Sequence, residues 1–395
     1  MTASDVATRF RVIGLEDRRF NHEKLWNVLA PHIASETIRV EEIGRSLQGR
    51  SIRALHFGEG ETKVLLWSQM HGDESTATMA LADIVRFFAE GDGDPLRERL
   101  RRNLSITMVP MLNPDGAEDF TRRNAIGVDV NRDARRLATP EGRALKELRD
   151  RLEPDFGFNL HDQNALTLAG KNGGQVAMAL LAPAADEAHS YGDVRTRARL
   201  VAATIVSVLE PTIGGRIAKY DDTFNPRAFG DLMQAWGTST VLIESGAIRG
   251  DPQKQNLRAL NVLAILEALD AIGTESYRQT DPLLYESLPE NYDIEHDVIL
   301  TGGKLLFGDA PPLEVDLGIW FYDPVAREGA RLGDVGDLSE TPAIEILDVA
   351  GLTIRVETLG DARRCPERDA PVIITVRGEN DAIVHRFGSS ETGQR

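Results

Sequence analysis

Residues 63–90 read KVLLWSQMHGDESTATMALADIVRFFAE and join a strand pattern to a helix pattern. Residues 63–70 form an apolar run of strand length, and residues 75–90 carry apolar side chains at helical spacing. His71 and Glu74 lie between them, where the strand ends and the helix begins. Because ligands in open α/β sheets bind at the carboxyl ends of strands, this segment predicts an α/β fold with both residues in a site.

The same alternation of strand and helix patterns continues from about residue 36 to residue 272. Apolar runs predict strands, and amphipathic stretches predict helices, the last of which should begin with Asp251 as N-cap and Pro252 in its first turn. This pattern predicts a mixed, largely parallel sheet flanked by helices. The predicted strands are 52–57, 64–70, 105–111, 156–161, 175–181, 215–220 and 240–245, and the predicted helices are 75–90, 140–152, 194–209 and 252–271.

The sequence changes character after residue 272. Polar, proline-containing residues 276–292 predict a linker after a first domain of residues 1–275. Residues 293–395 then predict a small β-rich domain, because short β-like runs alternate with Gly, Pro and Asp turns. Residues 297–308 are similar to strands of the small β-domain of amidohydrolases, and an unrelated β-sandwich is an equal alternative. The β-like runs are 298–307, 315–321, 343–349, 352–358 and 371–377.

Charge and composition exclude several classes of protein. The 395-residue chain has a formal net charge of −17, which argues against a nucleic-acid partner because phosphate binding needs a basic surface. No stretch has the length and apolarity of a membrane span, and the N-terminus lacks a secretory pattern, so we expect a cytoplasmic protein. The single cysteine, Cys365, excludes an intrachain disulfide and a Cys-based zinc site. The oligomeric state stays open.

A metal site is predicted from His71, Glu74 and His161, which ends the predicted strand 156–161. Two imidazoles and one carboxylate leave a position open on a tetrahedral zinc ion, as is typical of catalytic zinc. A second H-x-x-E, which begins at His56, runs into a Gly58-Glu59-Gly60 segment that predicts an exposed hairpin turn. The strand-to-helix context therefore favours one Zn²⁺ per chain on the first set.

Two further features are unusual enough to suggest chemistry. Arg122 and Arg132 lie in a Gly-punctuated loop, and a guanidinium binds a carboxylate bidentately, so a substrate with a free carboxylate is indicated. Their alternative role is surface solubility. Glu244 ends the apolar strand 240–245, and a buried Glu needs a partner, which predicts a general base. A structural ion pair with a nearby Arg is the alternative.

The order of these motifs resembles the zinc metallocarboxypeptidases of the carboxypeptidase A family. The shared series over residues 36–272 is an I-G-x-S-x-x-G-R segment at 43–50, H-x-x-E at 71–74, N-P-D-G at 113–116, Arg122, G-V-D-x-N-R at 127–132, His161 and Glu244. The N-P-D-G unit taken alone predicts only a turn. The ordered set is more specific than any one of its members.

The resemblance implies roles at the matching positions. It implies that Asp129 orients the first ligand histidine and that Arg122 polarises the scissile carbonyl. It also implies that Asn131 and Arg132 hold the terminal carboxylate of a peptide or small substrate. Glu244 would then activate a zinc-bound water, and the chain would be a metalloprotease that hydrolyses a C-terminal peptide bond.

One part of the family pattern is not matched. The family places a mobile tyrosine about twenty residues before the glutamate, where this chain has Phe224 and Asn225. Tyr220 is the nearest tyrosine but ends a predicted strand. The residue that selects the C-terminal side chain is undecided among three positions, so the preferred substrate stays open. These positions are Leu232, Met233 and Gln234.

Two other functions fit part of the pattern. A deacylase of the aspartoacylase and succinylglutamate desuccinylase type is similar around H-x-x-E and N-R and cleaves N-acyl amino acids. An inactive peptide-binding protein on the same fold is the alternative of another class. The presence of Glu244 with all three ligands counts against it, and the unmatched tyrosine counts slightly for it.

Overall fold

The computed structural model describes residues 1–34, 36–306, 311–358 and 367–389. Phe307 of a predicted strand and Cys365 lie outside the described residues. The chain divides into two compact units. The first comprises Met1–Gln163, Val176–Ala247 and Gln253–Asn291, and the second comprises Asn164–Gln175, Ile248–Pro252 and the described residues from Tyr292 onward.

The helices of the described residues lie mainly in the first unit. None of them has both the length and the apolarity needed to cross a membrane. They are α1 (Ala3–Arg9), α2 (His22–Ile33), α3 (Thr76–Glu90), α4 (Pro95–Asn103), α5 (Pro114–Glu118), α6 (Pro140–Leu152), α7 (Asp193–Ile213), α8 (Phe229–Ala235), α9 (Gln255–Gly273) and α10 (Leu283–Glu286), with 3-10 turns at Val130–Arg132, Ser276–Gln279 and Glu379–Asp381.

Strands occur in both units. They are β1 (Arg39–Arg45), β2 (Ser51–Phe57), β3 (Thr62–Ser68), β4 (Leu104–Val109), β5 (Phe156–Asp162), β6 (Thr167–Ala169), β7 (Met178–Leu181), β8 (Ile217–Lys219), β9 (Ser239–Ser245), β10 (Asn291–Asp293), β11 (His296–Leu306), β12 (Leu313–Asp323), β13 (Glu328–Gly336), β14 (Ala343–Asp348), β15 (Thr353–Thr358), β16 (Val372–Arg377) and β17 (Ile383–Phe387).

The first unit is built on an eight-stranded sheet of order β1-β2-β4-β3-β5-β9-β7-β8. The neighbours β4, β3, β5 and β9 run parallel, whereas β1, β2 and β7 introduce antiparallel pairs. Central strands β3 and β9 are almost wholly buried, which explains their continuous apolar sequence. The predicted mixed, largely parallel sheet flanked by helices is confirmed.

The predicted hairpin turn at Gly58-Glu59-Gly60 is wrong. Strand β4 lies between β2 and β3, so the two strands that flank these glycines are not neighbours. The segment packs on the end of α4 instead, where the Glu59 amide donates to the Arg101 carbonyl at 2.9 Å. A Cβ at Gly60 would lie 2.0 Å from the Asn103 carbonyl carbon, so close backbone approach is what requires glycine there.

The start of α9 also differs from the sequence prediction. The helix begins at Gln255, and its N-cap is Lys254 in the left-handed conformation, with φ of +52°. Asp251 and Pro252 belong to the second unit. The Asp251 amide donates to the Ile248 carbonyl in a turn, so the chain reverses before the helix starts.

Residues 276–291, which the sequence assigns to a linker, lie in the first unit. Tyr277 is buried and packs edge-to-face on Phe156, with ring centroids 5.5 Å apart. The Tyr285 hydroxyl accepts a hydrogen bond from the Ala182 amide at 3.0 Å. The polar composition of this segment suggested a linker, but two aromatic side chains attach it to the first unit.

The second unit holds a seven-stranded sheet, which confirms the predicted β-rich C-terminal region. Its order is β13-β12-β11-β15-β16-β17, and β14 pairs with β11. The long strand β11 is antiparallel to β12 and parallel to both β14 and β15. The sequence analysis did not predict β13 or β17. Their alternation of exposed and buried positions is weak, and glycines interrupt β13.

A fully buried ion pair fastens the N-terminal segment to the first unit. Arg258 of α9 bonds Asp83 of α3 at 2.5 Å, and both side chains are 1% exposed. Arg258 also donates to the carbonyls of Val12 and Leu15, and the Val12 amide donates to Asp83 at 2.7 Å. Burial raises the pKa of Asp83, although Arg258 opposes that shift. The pair therefore satisfies backbone groups of a segment that has no regular structure.

We expect Arg258→Met to lower the free energy of unfolding by about 3–5 kcal/mol, because Asp83 would remain buried without its cation. The matched control is Arg45→Met, which breaks the exposed pair with Glu42, whose side chains are 61% and 41% exposed. That control should cost less than about 1 kcal/mol. Urea denaturation of the three proteins measures both values, and equal losses would contradict the assignment.

Candidate metal centre

The predicted site residues converge where three neighbouring parallel strands end. His71 and Glu74 follow β3, His161 lies in β5, and Glu244 lies in β9. His161 and Glu244 are directly paired in the register of β5 and β9. Carboxyl ends of adjacent parallel strands form a crevice, so the sheet order places these side chains together.

The loop between β3 and α3 is held in an unusual backbone conformation. Gln69 has a φ of +50° and is fully buried. Its side-chain amide donates to the Gly72 carbonyl at 2.8 Å, and its side-chain oxygen accepts from Thr78 at 3.0 Å. These contacts fix the turn that carries His71 and Glu74. No sequence signal pointed to Gln69.

Gly72 connects this loop to the N-P-D-G motif. A Cβ at Gly72 would lie 1.9 Å from the carbonyl carbon of Gly116, so the two backbones are in direct contact. The motif is more than the turn that its sequence predicts, because Asn113 is the N-cap of α5 and accepts from the Gly116 amide at 2.9 Å. The short helix thus presents a flat backbone surface to the metal loop.

His71, Glu74 and His161 form one buried group. Glu74 lies between the imidazoles, with Oε1 2.7 Å from His71 Nδ1 and Oε2 2.6 Å from His161 Nδ1. One ligand atom from each residue lies within 4.8 Å of the others, and this is the one such metal-binding group found among the described residues.

The outer nitrogen of each imidazole has its own partner. His71 Nε2 lies 3.0 Å from Asp129 Oδ1, and His161 Nε2 lies 3.4 Å from Asn131 Nδ2. Asn131 Oδ1 accepts from the Phe229 amide at 2.9 Å, which holds the side chain in place. Such outer contacts orient ligand histidines. Both Nδ1 atoms therefore face Glu74, and two imidazole nitrogens with one carboxylate suit zinc.

Electrostatics at this group follow from burial and opposite charge. Burial lowers the pKa of His71, but Glu74 and Asp129 outweigh it and raise the pKa to about 9. Burial raises the pKa of Glu74, but the charges of His71 and His161 reverse this and hold it below its ordinary value. Burial lowers the pKa of His161. The site thus keeps Glu74 ionised, as a metal ligand must be.

Arg122 reaches the group from the loop after α5. Its Nη2 lies 3.0 Å from Asp129 Oδ2, and its Nη1 lies 3.2 Å from Glu74 Oε1. The side chain is 42% exposed. The guanidinium is therefore anchored by two carboxylates at the open edge of the site, where it can also meet a bound molecule.

Glu244 is buried without a cation. Its side chain forms no ion pair within the described residues, and Oε2 has no hydrogen-bond partner there. Burial and the charge of Glu74 raise the pKa of Glu244 well above its ordinary value. The alternative of a structural Glu–Arg pair is therefore not what the described residues contain.

Arg132 is half-buried beside Asn131. Its Nη1 donates to the Asn131 carbonyl at 2.8 Å, and no ion pair joins it to a carboxylate of the described residues.

The sequence left three positions open for selection of the C-terminal side chain. Of these, Met233 belongs to the core and the Gln234 side chain accepts a hydrogen bond from the Thr240 amide at 2.7 Å. Leu232 packs at the edge of the same core.

Tyr220 lies close to the site, although the sequence analysis placed it only at a strand end. The charge of Glu244 is the largest cause that raises the pKa of Tyr220, followed by burial and the charge of Glu74. The backbone amide of Tyr220 donates to the Leu180 carbonyl, just after β8. Its position 24 residues before Glu244 (244 − 220) was the available signal.

Comparison with known proteins agrees with this geometry. Residues 31–162 match the family model described as zinc carboxypeptidase. The chain is 27% identical over 161 residues to an uncharacterised protein of Zymomonas mobilis, covering 39% of this chain and 42% of that one. It is 29% identical over 106 residues to carboxypeptidase SOL1 of Arabidopsis thaliana, covering 25% and 22%. The matches thus span less than half of these relatives.

Solved structures extend the likeness beyond the matched segment. A metallo-carboxypeptidase from Burkholderia cenocepacia superposes with a TM-score of 0.52 at 19% identity, covering 65% of this chain and 70% of that one. At this identity the likeness concerns the fold. The fold and the buried His-Glu-His group thus agree with the match of residues 31–162 to the zinc carboxypeptidase family model.

Proposed function

We propose that this chain is a zinc-dependent carboxypeptidase that hydrolyses the last peptide bond of a substrate with a free terminal carboxylate. The observation that carries the proposal is the position of Glu244. It is a buried carboxylate without a partner among the described residues, and it lies beside His161 in the sheet register. An inactive binding protein has no need for a carboxylate that is so costly to bury.

The donor set fits one zinc ion on His71, Glu74 and His161. Zinc would supply a Lewis acid that polarises a carbonyl group and makes water more acidic. Glu244 takes a proton from the attacking water and passes it to the leaving amine, and a raised pKa suits a group that must do both. Arg122 offers its guanidinium to the oxygen on which negative charge develops.

The substrate carboxylate is assigned to Arg132. This guanidinium has no carboxylate partner within the described residues, although it stands next to Asn131 and the metal group. A guanidinium without a carboxylate partner can bind a substrate carboxylate through two parallel hydrogen bonds. Asn131 supports His161 in this geometry, and its proposed contact with the substrate requires the amide to leave that partner.

Tyr220 supplies the hydroxyl group for which the sequence pattern offers no tyrosine at the expected position. A phenol is protonated at neutral pH, and the charge of Glu244 raises the pKa of Tyr220 further, so the hydroxyl can donate a hydrogen bond to the peptide or to Glu244. Phe224 and Asn225 are not needed for this role.

We expect Glu244→Gln to lower peptide hydrolysis by about 10²- to 10⁴-fold, because the variant has no group to accept the proton. Zinc content, measured by atomic absorption, should stay at one ion per chain. Glu141→Gln is the matched control, since Glu141 is also fully buried and burial also raises its pKa. The control should keep its activity. Full activity of Glu244→Gln would contradict the role of Glu244.

A substrate panel tests the carboxylate requirement. Peptides with a free C-terminus should be cleaved, and the same peptides with an amidated C-terminus should not. Arg132→Met should raise KM by about tenfold or more, since a hydrogen bond to a charged group contributes about 1.5–3 kcal/mol. The exposed Arg135→Met is the control. Hydrolysis of N-acyl amino acids alone would identify the deacylase instead, and zinc binding without hydrolysis would leave the inactive binding protein.

We expect Tyr220→Phe to reduce kcat/KM by about 2- to 10-fold, the range for loss of one neutral hydrogen bond. Tyr285→Phe is the matched control, because its hydroxyl accepts from a backbone amide and is buried away from Glu244. Steady-state kinetics on one peptide measure both variants. An unchanged kcat/KM in Tyr220→Phe would show that another group provides the hydroxyl.

A further inference from the structure

A buried cation, Lys254, lies next to the metal group. Lys254 Nζ is 3.0 Å from Asp162 Oδ2, and their side chains are 4% and 8% exposed. The Thr76 hydroxyl donates to the same Asp162 oxygen at 2.6 Å. Neither Lys254 nor Thr76 has a part in the proposed reaction.

This cluster contacts three segments that contain or adjoin site residues. Thr76 is the first residue of α3 and stands two positions after Glu74, and Asp162 ends β5 directly after His161. Lys254 caps α9, and its Nζ also lies 3.4 Å from the carbonyl of Ser245, the residue after Glu244.

The cluster reaches the metal ligand Glu74 itself. The backbone amide of Asp162 donates to Glu74 Oε2 at 3.2 Å, the same oxygen that contacts His161 Nδ1. The other oxygen of Asp162, Oδ1, is buried without a hydrogen-bond partner among the described residues. Movement of Asp162 would therefore be passed directly to Glu74.

The arrangement is energetically costly in two ways. Removing a Lys–Asp pair from water carries a large desolvation penalty. Lys254 also adopts a φ of +52°, in the left-handed region that lysine rarely occupies. A glycine at this helix cap would avoid that conformational cost, so local backbone geometry alone does not account for the lysine.

We propose that Lys254 and Asp162 are positioning residues for the metal centre. The pair fixes the ends of β5 and β9 and holds the Asp162 amide against Glu74. The part that concerns Glu244 rests on the proposed function, whereas the part that concerns Glu74 rests only on zinc binding.

Two variants of neighbouring cations test this proposal. Lys254→Met removes the cation of the cluster, and Arg258→Met removes the cation of the buried pair with Asp83, four positions along the chain. Zinc affinity is measured by competition with a chelator, and the absorption spectrum of the cobalt-substituted protein reports ligand geometry. Thermal unfolding, kcat and KM are measured on the same samples.

We expect Lys254→Met to weaken zinc binding by about 10- to 100-fold, as is usual when a group that supports a ligand is lost. Its cobalt spectrum should change, and kcat should fall while KM stays nearly constant, since Lys254 does not contact substrate. Arg258→Met should lower the unfolding temperature with zinc affinity and cobalt spectrum unchanged. Lys254→Arg, which keeps the charge, should recover part of the zinc affinity.

Thr76→Val is a second, uncharged variant that removes only the hydroxyl donated to Asp162. It should weaken zinc binding by a smaller factor, and it tests the proposal if Lys254→Met does not fold. Zinc affinity equal to wild type in Thr76→Val and in any folded Lys254 variant would overturn the proposal. A wild type that binds zinc but hydrolyses no peptide would overturn the proposed function alone, because affinity and spectrum still report on positioning.

Discussion

Burial of two carboxylates, Glu74 and Glu244, at adjoining strand ends is the constraint on which the rest of the site depends. A buried charge without compensation is very costly, so each carboxylate needs a reason for its place. Glu74 has four cationic or hydrogen-bonding neighbours, His71, His161, Arg122 and the backbone amide of Asp162. Glu244 forms no ion pair with another described residue, and burial and the charge of Glu74 raise its pKa. The two residues thus differ in role because their surroundings differ.

The order of the strands in the sheet brings the two carboxylates together. With β3, β5 and β9 side by side and parallel, one ligand pair follows the first strand, and the other two residues end the next two strands. Short-range contacts then refine the arrangement. Gln69 fixes the loop after β3, and the Lys254–Asp162 pair lies at the ends of β5 and β9. The strands bring the residues to one edge of the sheet, and these polar contacts hold the adjoining loop and strand ends in place.

Much of the first unit could be predicted from the sequence, because its central strands and long helices have clear periodicity. His71 and Glu74 were recognisable from the strand-to-helix junction alone. The short helices α1 and α5 were missed because they are too short to show a helical period, and the edge strand β1 was missed because none of its residues is buried. The linker prediction differed because Tyr277 and Tyr285 fix a polar segment, and pattern analysis weighs average polarity over single aromatic residues.

In the site, too, features of the local sequence could be predicted, whereas contacts between residues distant in the sequence could not. Lys254 could not be connected with Asp162 from the sequence, because they are 92 positions apart and their pairing depends on the fold. The place of β4 between β2 and β3 was equally hidden, since an apolar strand does not specify its neighbours. The roles proposed for Arg122 and Arg132 came mainly from a resemblance, and the structure adds that Arg122 contacts Glu74 and Asp129.

The contact between Gly72 and Gly116 has a consequence for how such sequences diverge. With 1.9 Å between a hypothetical Cβ at Gly72 and the facing carbonyl carbon of Gly116, Gly72 cannot gain a side chain while the backbone at Gly116 keeps its place. A side chain at Gly72 would therefore require the N-P-D-G segment, 44 positions away (116 − 72), to move as well. A sequence that gained a side chain at this position would need a different backbone path in both segments. The H-x-x-E and N-P-D-G motifs are therefore physically connected through the contact between Gly72 and Gly116.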